Sequence, residues 1–268
     1  MPSIEIRETN IHHEQAGVGP DLLFVHGMCG DARVWEGQVE ALRAEFRCTT
    51  YDRRGHSRSP RGGEAESDTT HADDAAALIE ALHLTPVVVA SSGGARITVE
   101  LLRRRPDLVR GAVLSEPPLL SLDSAAAEPF VAELVPLVDG ALEQHGPQAA
   151  VDAFFAFVCP GLWSDLDDDV KDRYRANAPA MLAEFEAPPN RITADDLASI
   201  TTPVLVMRGT DSHPTLRSIA AQLAQALPDA RWVELERCGH VTYAEQPEQF
   251  AAAVTAFAHE ILSPTAPG

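Results

Sequence analysis

The sequence predicts an α/β fold, with a mostly parallel central sheet flanked by helices and a helical segment inserted in the second half of the chain. Three observations carry this. Apolar, often β-branched runs at residues 22–27, 87–90, 111–115 and 203–207 alternate with stretches of helical periodicity, the pattern of a parallel sheet buried on both faces. The run Val87-Val88-Val89-Ala90 ends abruptly in Ser91-Ser92-Gly93-Gly94 and passes directly into a helix-like segment. From Leu119 to about Ile200 the alternation lapses and helical patterns dominate.

A length of 268 residues suits one large domain, divided here into a core of residues 1–118 and 201–268 and an inserted unit of residues 119–200. The formal net charge of −19 disfavours nucleic acids and anionic membranes as partners. No apolar run approaches the roughly 20 residues of a membrane span, and no secretion signal is read at the N-terminus, so a cytoplasmic location is expected. The four cysteines, Cys29, Cys48, Cys159 and Cys238, are scattered without ligand spacing. Reduced, buried thiols and no metal are expected. A homodimer is left open.

Taken in order, residues 4–6 and 11–14 read as an antiparallel pair opening the sheet, with His12 and His13 at a solvated edge facing opposite sides. Leu22 to Gly27 reads as the first buried strand, followed by the loop Met28-Cys29-Gly30 and a helix over about 31–44 that carries Trp35 near its start, in the core or at the pocket entrance. A strand at 48–52 leads into Arg53-Arg54-Gly55-His56-Ser57-Arg58, a turn in which the arginines are expected to pair with Asp52. Thr70 and Asp73 mark a helix start before 75–84. The helix after Ser92 stops at Pro106, and the next strand must finish at Glu116 because Pro117 and Pro118 cannot donate to a ladder. Helices are expected over 129–143, 147–158 and 168–185, then strands over 203–209 and 231–235, a helix over 215–227 between them, and a closing helix over 247–262. The tail 263–268 is expected to be loose.

The tight strand-to-helix bend at Ser92 places a hydroxyl where the Gly93 amide and a helix N-terminus would face developing negative charge. Small-residue turns of this kind also bind phosphates or merely pack. Ala90-Ser91-Ser92-Gly93-Gly94 resembles the nucleophile elbow of the α/β-hydrolase family, with alanine in place of the usual first glycine. His26-Gly27-Met28 is similar to that family's oxyanion loop, and Gly239-His240 stands where the family keeps its catalytic histidine. The resemblance implies an α/β-hydrolase fold with an inserted helical cap, Ser92 as nucleophile, His240 as general base, and the Met28 and Gly93 amides as oxyanion hole. It implies no cofactor.

Two residues compete for the acid. The family's usual position falls on Ser212, with Asp211 one place early, whereas Glu116 ends the strand that follows the elbow helix. Ser91-Ser92-Gly93 followed 24 residues after the serine by Glu116 resembles the lactone hydrolases that open zearalenone, whose acid is a glutamate on this strand. Glu116 is therefore preferred, with Asp211 as alternative. The expected activity is that of a carboxylic ester hydrolase or lactonase acting on a small hydrophobic substrate through an acyl-enzyme, with Trp35, Phe154, Phe157, Trp163 and Met181 as candidate pocket residues. A cofactor-free perhydrolase or haloperoxidase, a C–C bond hydrolase, and a ligand receptor on the same scaffold are the alternatives.

Overall fold

The computed structural model describes residues 2–63, 65–188 and 191–262, so the tail expected to be loose lies outside the described residues. The chain opens with β1 (Ser3–Ile6), β2 (Thr9–Ala16) and β3 (Asp21–Val25), then α1 (Glu36–Leu42), β4 (Arg47–Tyr51) and α2 (Asp68–Ala81). The elbow joins β5 (Val87–Ser91) to α3 (Gly93–Arg104), and β6 (Gly111–Ser115) follows. The inserted helices are α4 (Ser124–His145), α5 (Pro147–Val158), α6 (Pro160–Asp165), α7 (Asp168–Ala176), α8 (Ala178–Glu186) and α9 (Ala194–Ala198). The chain closes with β7 (Val204–Gly209), α10 (Pro214–Ala226), β8 (Ala230–Leu235), α11 (Thr242–Glu245) and α12 (Pro247–Leu262).

The eight strands form one sheet in the order β1-β2-β4-β3-β5-β6-β7-β8. Only the β1–β2 and β2–β4 pairs are antiparallel. The parallel strands have apolar side chains on both faces because helices cover both. Leu23, Val25, Val88 and Leu114 pack with residues of α2, α3 and α10 on one side, and Phe24, Val87, Val89 and Val113 with α12 on the other. Among the described residues no helix is long and apolar enough to cross a membrane.

Several expectations are corrected. Helix α2 starts at Asp68, because the Ser67 hydroxyl accepts the Thr70 N–H and caps it three residues ahead of the cap expected at Thr70. Helix α4 starts at Ser124, ahead of the expected start at Pro129, and runs through Pro129 and Pro136; Asp123 caps it by accepting the Ala126 N–H. The single helix expected over 168–185 is two, broken at Asn177. His12 is buried rather than solvated, its ring bonded to Glu14. Of the turn arginines only Arg58 pairs with Asp52; Arg54 pairs with Asp74 and Arg53 with Glu184.

Candidate active site

Parallel strands β5, β6 and β7 end side by side, and the loops leaving those ends build the site. The Ser92 N–H donates to the Ser115 carbonyl at 2.9 Å, which prolongs the β5–β6 ladder to the last possible residue. Ser92 then turns with φ 53° and ψ −125°, a conformation that side-chain-bearing residues rarely adopt and that stores about 1–3 kcal/mol of strain. Helix α3 begins at the next residue, so its N-terminal amides face the serine.

Glu116 reaches the same edge from β6. Its N–H donates to the Met207 carbonyl at 3.0 Å, and a φ of 47° then turns the chain out of the sheet. The carboxylate is fully buried, and each oxygen is held: Oε1 accepts the Gly209 N–H at 2.8 Å, and Oε2 accepts the Ser212 hydroxyl at 2.5 Å. Oε2 also lies 2.8 Å from His240 Nδ1, while His240 Nε2 lies 3.0 Å from Ser92 Oγ. The tautomer that satisfies both contacts carries its proton on Nδ1, donates it to Glu116, and leaves Nε2 to accept the Ser92 hydroxyl proton.

Asp211 is not part of this chain of contacts. It is exposed; its carboxylate accepts from the Thr210 hydroxyl at 3.2 Å and its N–H donates to the Cys238 carbonyl at 2.8 Å. Ser212, at the position expected for an acid, fills that place with a hydroxyl that donates to Glu116. Sequence reasoning missed this supporting role, although a serine exactly where a carboxylate is expected was its visible signal.

The Met28 nitrogen lies close to Gly93: a Cβ added to Gly93 would stand 3.5 Å from it. Gly27 lies as near to the nucleophile: a Cβ there would be 3.2 Å from Ser92 Cβ. Met28 and Gly93, whose amides are expected to form an oxyanion hole, thus lie close to one another and to Ser92.

A cavity of about 40 Å³ touches Ser92 and His240, and its remaining wall is mostly apolar, with Phe154 and Trp163 among its members. Three candidate pocket residues do not line it. Trp35 is fully buried in the core, 4.4 Å from Tyr243 and 5.3 Å from Phe24 between ring centres, at the end of the short helical turn Ala32–Trp35 that precedes α1. Phe157 packs on Phe130 and His213, and Met181 is fully buried among the inserted helices. In their place the wall takes Phe155, stacked on Trp163 at 4.7 Å, together with Tyr174 and Tyr243. Which aromatic faces inward depends on how α5, α6 and α7 dock, and no local pattern records that.

Asp31 closes the loop that carries Met28. Burial would raise its carboxyl, but hydrogen bonds from the Arg33 guanidinium, the Arg33 N–H and the Ser57 hydroxyl outweigh this and hold it well below the usual carboxylate range. A depressed folded-state pKa contributes stability above the unfolded value of about 4 and loses it as pH falls through the lower folded value. Asp31→Asn is accordingly expected to destabilise the protein more at pH 7 than at pH 3, measured by urea unfolding at both. An equal loss at both pH values would remove the charge from the account.

The Alpha/beta hydrolase family model matches residues 22–253. RutD of Azorhizobium caulinodans, provisionally named a carbamate hydrolase, is 28% identical over 269 residues, covering 97% of this chain and 99% of its own. BpoC of Mycobacterium tuberculosis, provisionally named a non-heme bromoperoxidase, is 29% identical over 262 residues, covering 92% and 97%. The enol-lactonase of Burkholderia xenovorans shares the fold with a TM-score of 0.78 at 22% identity, over 96% of this chain and 99% of its own. With the family's pattern running through all but the ends of the sequence, the chain belongs to the α/β-hydrolase family.

Proposed function

We propose that the protein is a serine hydrolase that cleaves an ester or lactone of a small hydrophobic substrate through an acyl-enzyme. The observation that carries this reading is the unbroken series Ser92 Oγ, His240 and Glu116, at 3.0 and 2.8 Å, on a strained elbow. Ser92 attacks the carbonyl carbon while His240 Nε2 takes its proton. The resulting oxyanion is met by the Met28 and Gly93 amides, and collapse expels the alcohol, which receives the proton from His240. Water then repeats the sequence on the acyl-enzyme and frees the acid. Glu116 holds the imidazole tautomer and stabilises the imidazolium formed in both halves. In this reading α4–α9 act as a cap, and Phe154, Phe155, Trp163, Tyr174 and Tyr243 shape an apolar, water-poor chamber around the reacting carbonyl.

Intact-protein mass spectrometry after incubation with a fluorophosphonate tests the reading. One adduct is expected on the parent and none on Ser92→Ala, alongside turnover of short p-nitrophenyl esters or lactones by the parent alone. A folded parent that takes up no probe and turns over neither class would overturn it. Because one relative carries a bromoperoxidase name, monochlorodimedone with peroxide and bromide belongs in the same panel; turnover there without ester cleavage would favour the oxidative reading.

A further inference from the structure

The peptide linking Gly27 to Met28 is a single rigid plane, with its carbonyl and its N–H pointing in opposite directions. Whatever anchors the Gly27 carbonyl therefore aims the Met28 N–H. Three groups do so: His26 Nδ1 at 2.8 Å, Arg53 Nη2 at 3.2 Å and the Gly30 N–H at 3.3 Å. His26 Nε2 accepts the Arg53 N–H at 3.0 Å, which leaves Nδ1 as the donor. Burial, together with the adjacent Arg53 cation, pushes His26 well below the usual histidine range and keeps it neutral in this role.

Arg53 is buried and needs a counter-charge. It finds one outside the core: Glu184, on α8, accepts from the same Nη2 at 2.8 Å, and both side chains are almost wholly shielded from solvent. A second tie comes from the break between α7 and α8. Asn177 donates through Nδ2 to the Cys29 carbonyl at 2.9 Å and the Gly30 carbonyl at 3.1 Å, while its Oδ1 accepts the Ser57 N–H at 2.7 Å. Between these ties Cys29 sits at φ 55°, a conformation that persists only where its surroundings over-determine it.

We infer that Glu184 and Asn177 are positioning residues, through which the inserted helices hold residues 27–30 so that the Met28 amide faces the oxygen of the carbonyl group whose carbon Ser92 attacks. Glu184 acts through Arg53 on the Gly27 carbonyl, and Asn177 acts directly on the Cys29 and Gly30 carbonyls. The inference rests on the hydrolase reading for the role of the Met28 amide, but not for the clamp itself. Neither residue lines the cavity at Ser92, so neither is assigned a contact with substrate there.

The test compares Glu184→Gln and Asn177→Ala with the parent. Glu184→Gln keeps the shape and removes the charge that holds Arg53. Since deleting an oxyanion donor outright costs about 10²–10³ in kcat, loosening one is expected to cost about tenfold, with KM nearly unchanged. Affinity for a trifluoromethyl ketone, which Ser92 converts to a tetrahedral oxyanion, should fall by the same factor. A raised KM with kcat intact, or a lower melting temperature with both constants intact, would overturn the inference. Hydrogen–deuterium exchange over residues 27–30 separates its failure from failure of the hydrolase reading. Faster exchange in either variant supports the clamp even if the parent proves inactive, and parent-like exchange in both folded variants refutes it. Should Glu184→Gln not fold, Asn177→Ala carries the same expectations.

Discussion

Glu116→Gln is expected to lower kcat by about 10⁴-fold with little change in KM, whereas Asp211→Asn stays close to the parent. The argument is one of counting donors. Three converge on the Glu116 carboxylate: the Gly209 N–H, the Ser212 hydroxyl and His240 Nδ1. A carboxylate accepts from all three, but glutamine has one acceptor oxygen and an NH₂ group that itself donates. If the amide oxygen stays on Gly209, the NH₂ faces the histidine and selects the tautomer that cannot take a proton from Ser92. If the amide turns over, it loses the Gly209 contact and leaves a buried N–H facing an N–H. Asp211 has no such convergence, because its carboxylate meets only the neighbouring Thr210 side chain among the hydrogen bonds of the site. Steady-state kinetics on a p-nitrophenyl ester, with circular dichroism to confirm folding, makes the check. A large fall for Asp211→Asn with a near-normal Glu116→Gln would transfer the role of the acid.

The same site shows which parts of a fold are legible in sequence. The elbow is legible because its constraints are local. A buried strand, a left-handed turn and a helix start within a few residues demand small neighbours, and Ala90, Gly93 and Gly94 supply them. Glu116 is legible because two prolines end its strand beside Ser92. The Arg53–Glu184 pair joins residues 131 positions apart, so no window of sequence contains both partners. The arginine could be read only as a turn residue awaiting some acid, and the adjacent Asp52 was the wrong one. The aromatic residues of the inserted helices fail for a related reason. Their composition identifies an apolar layer, while the division between cavity wall and packing is made by helix docking, which turns Phe154 to the cavity and Phe157 to Phe130.

Gly94→Ala and Gly140→Ala place the same methyl group in two helices, and opposite signs are expected. At Gly94 the added Cβ would stand 2.4 Å from the Val25 carbonyl oxygen and 2.6 Å from that of His26, both in the backbone at the end of β3. Neither oxygen can swing aside as a side chain would, so α3 must retreat from the sheet. Overpacking of this kind costs about 1–3 kcal/mol or more, against a gain of at most about 1 kcal/mol from alanine's higher helix propensity. The steric loss wins, and a fall in melting temperature of several degrees follows. At Gly140 the nearest neighbour of an added Cβ is the flexible end of Gln144 at 3.9 Å, so the propensity gain stands unopposed and a rise of about 0.5–1 kcal/mol is expected. Activity separates the two sites further. Retreat of α3 carries the Gly93 amide and the Ser92 side chain away from His240, and a displacement near 1 Å at a reacting group costs about 10²-fold in rate, while Gly140 is outside the cavity at Ser92. Calorimetry and ester kinetics on both variants therefore test the elbow twice. A Gly94→Ala protein as stable and as active as the parent would mean that α3 does not need its close approach to β3, and the geometric basis assigned to the nucleophile would fall with it.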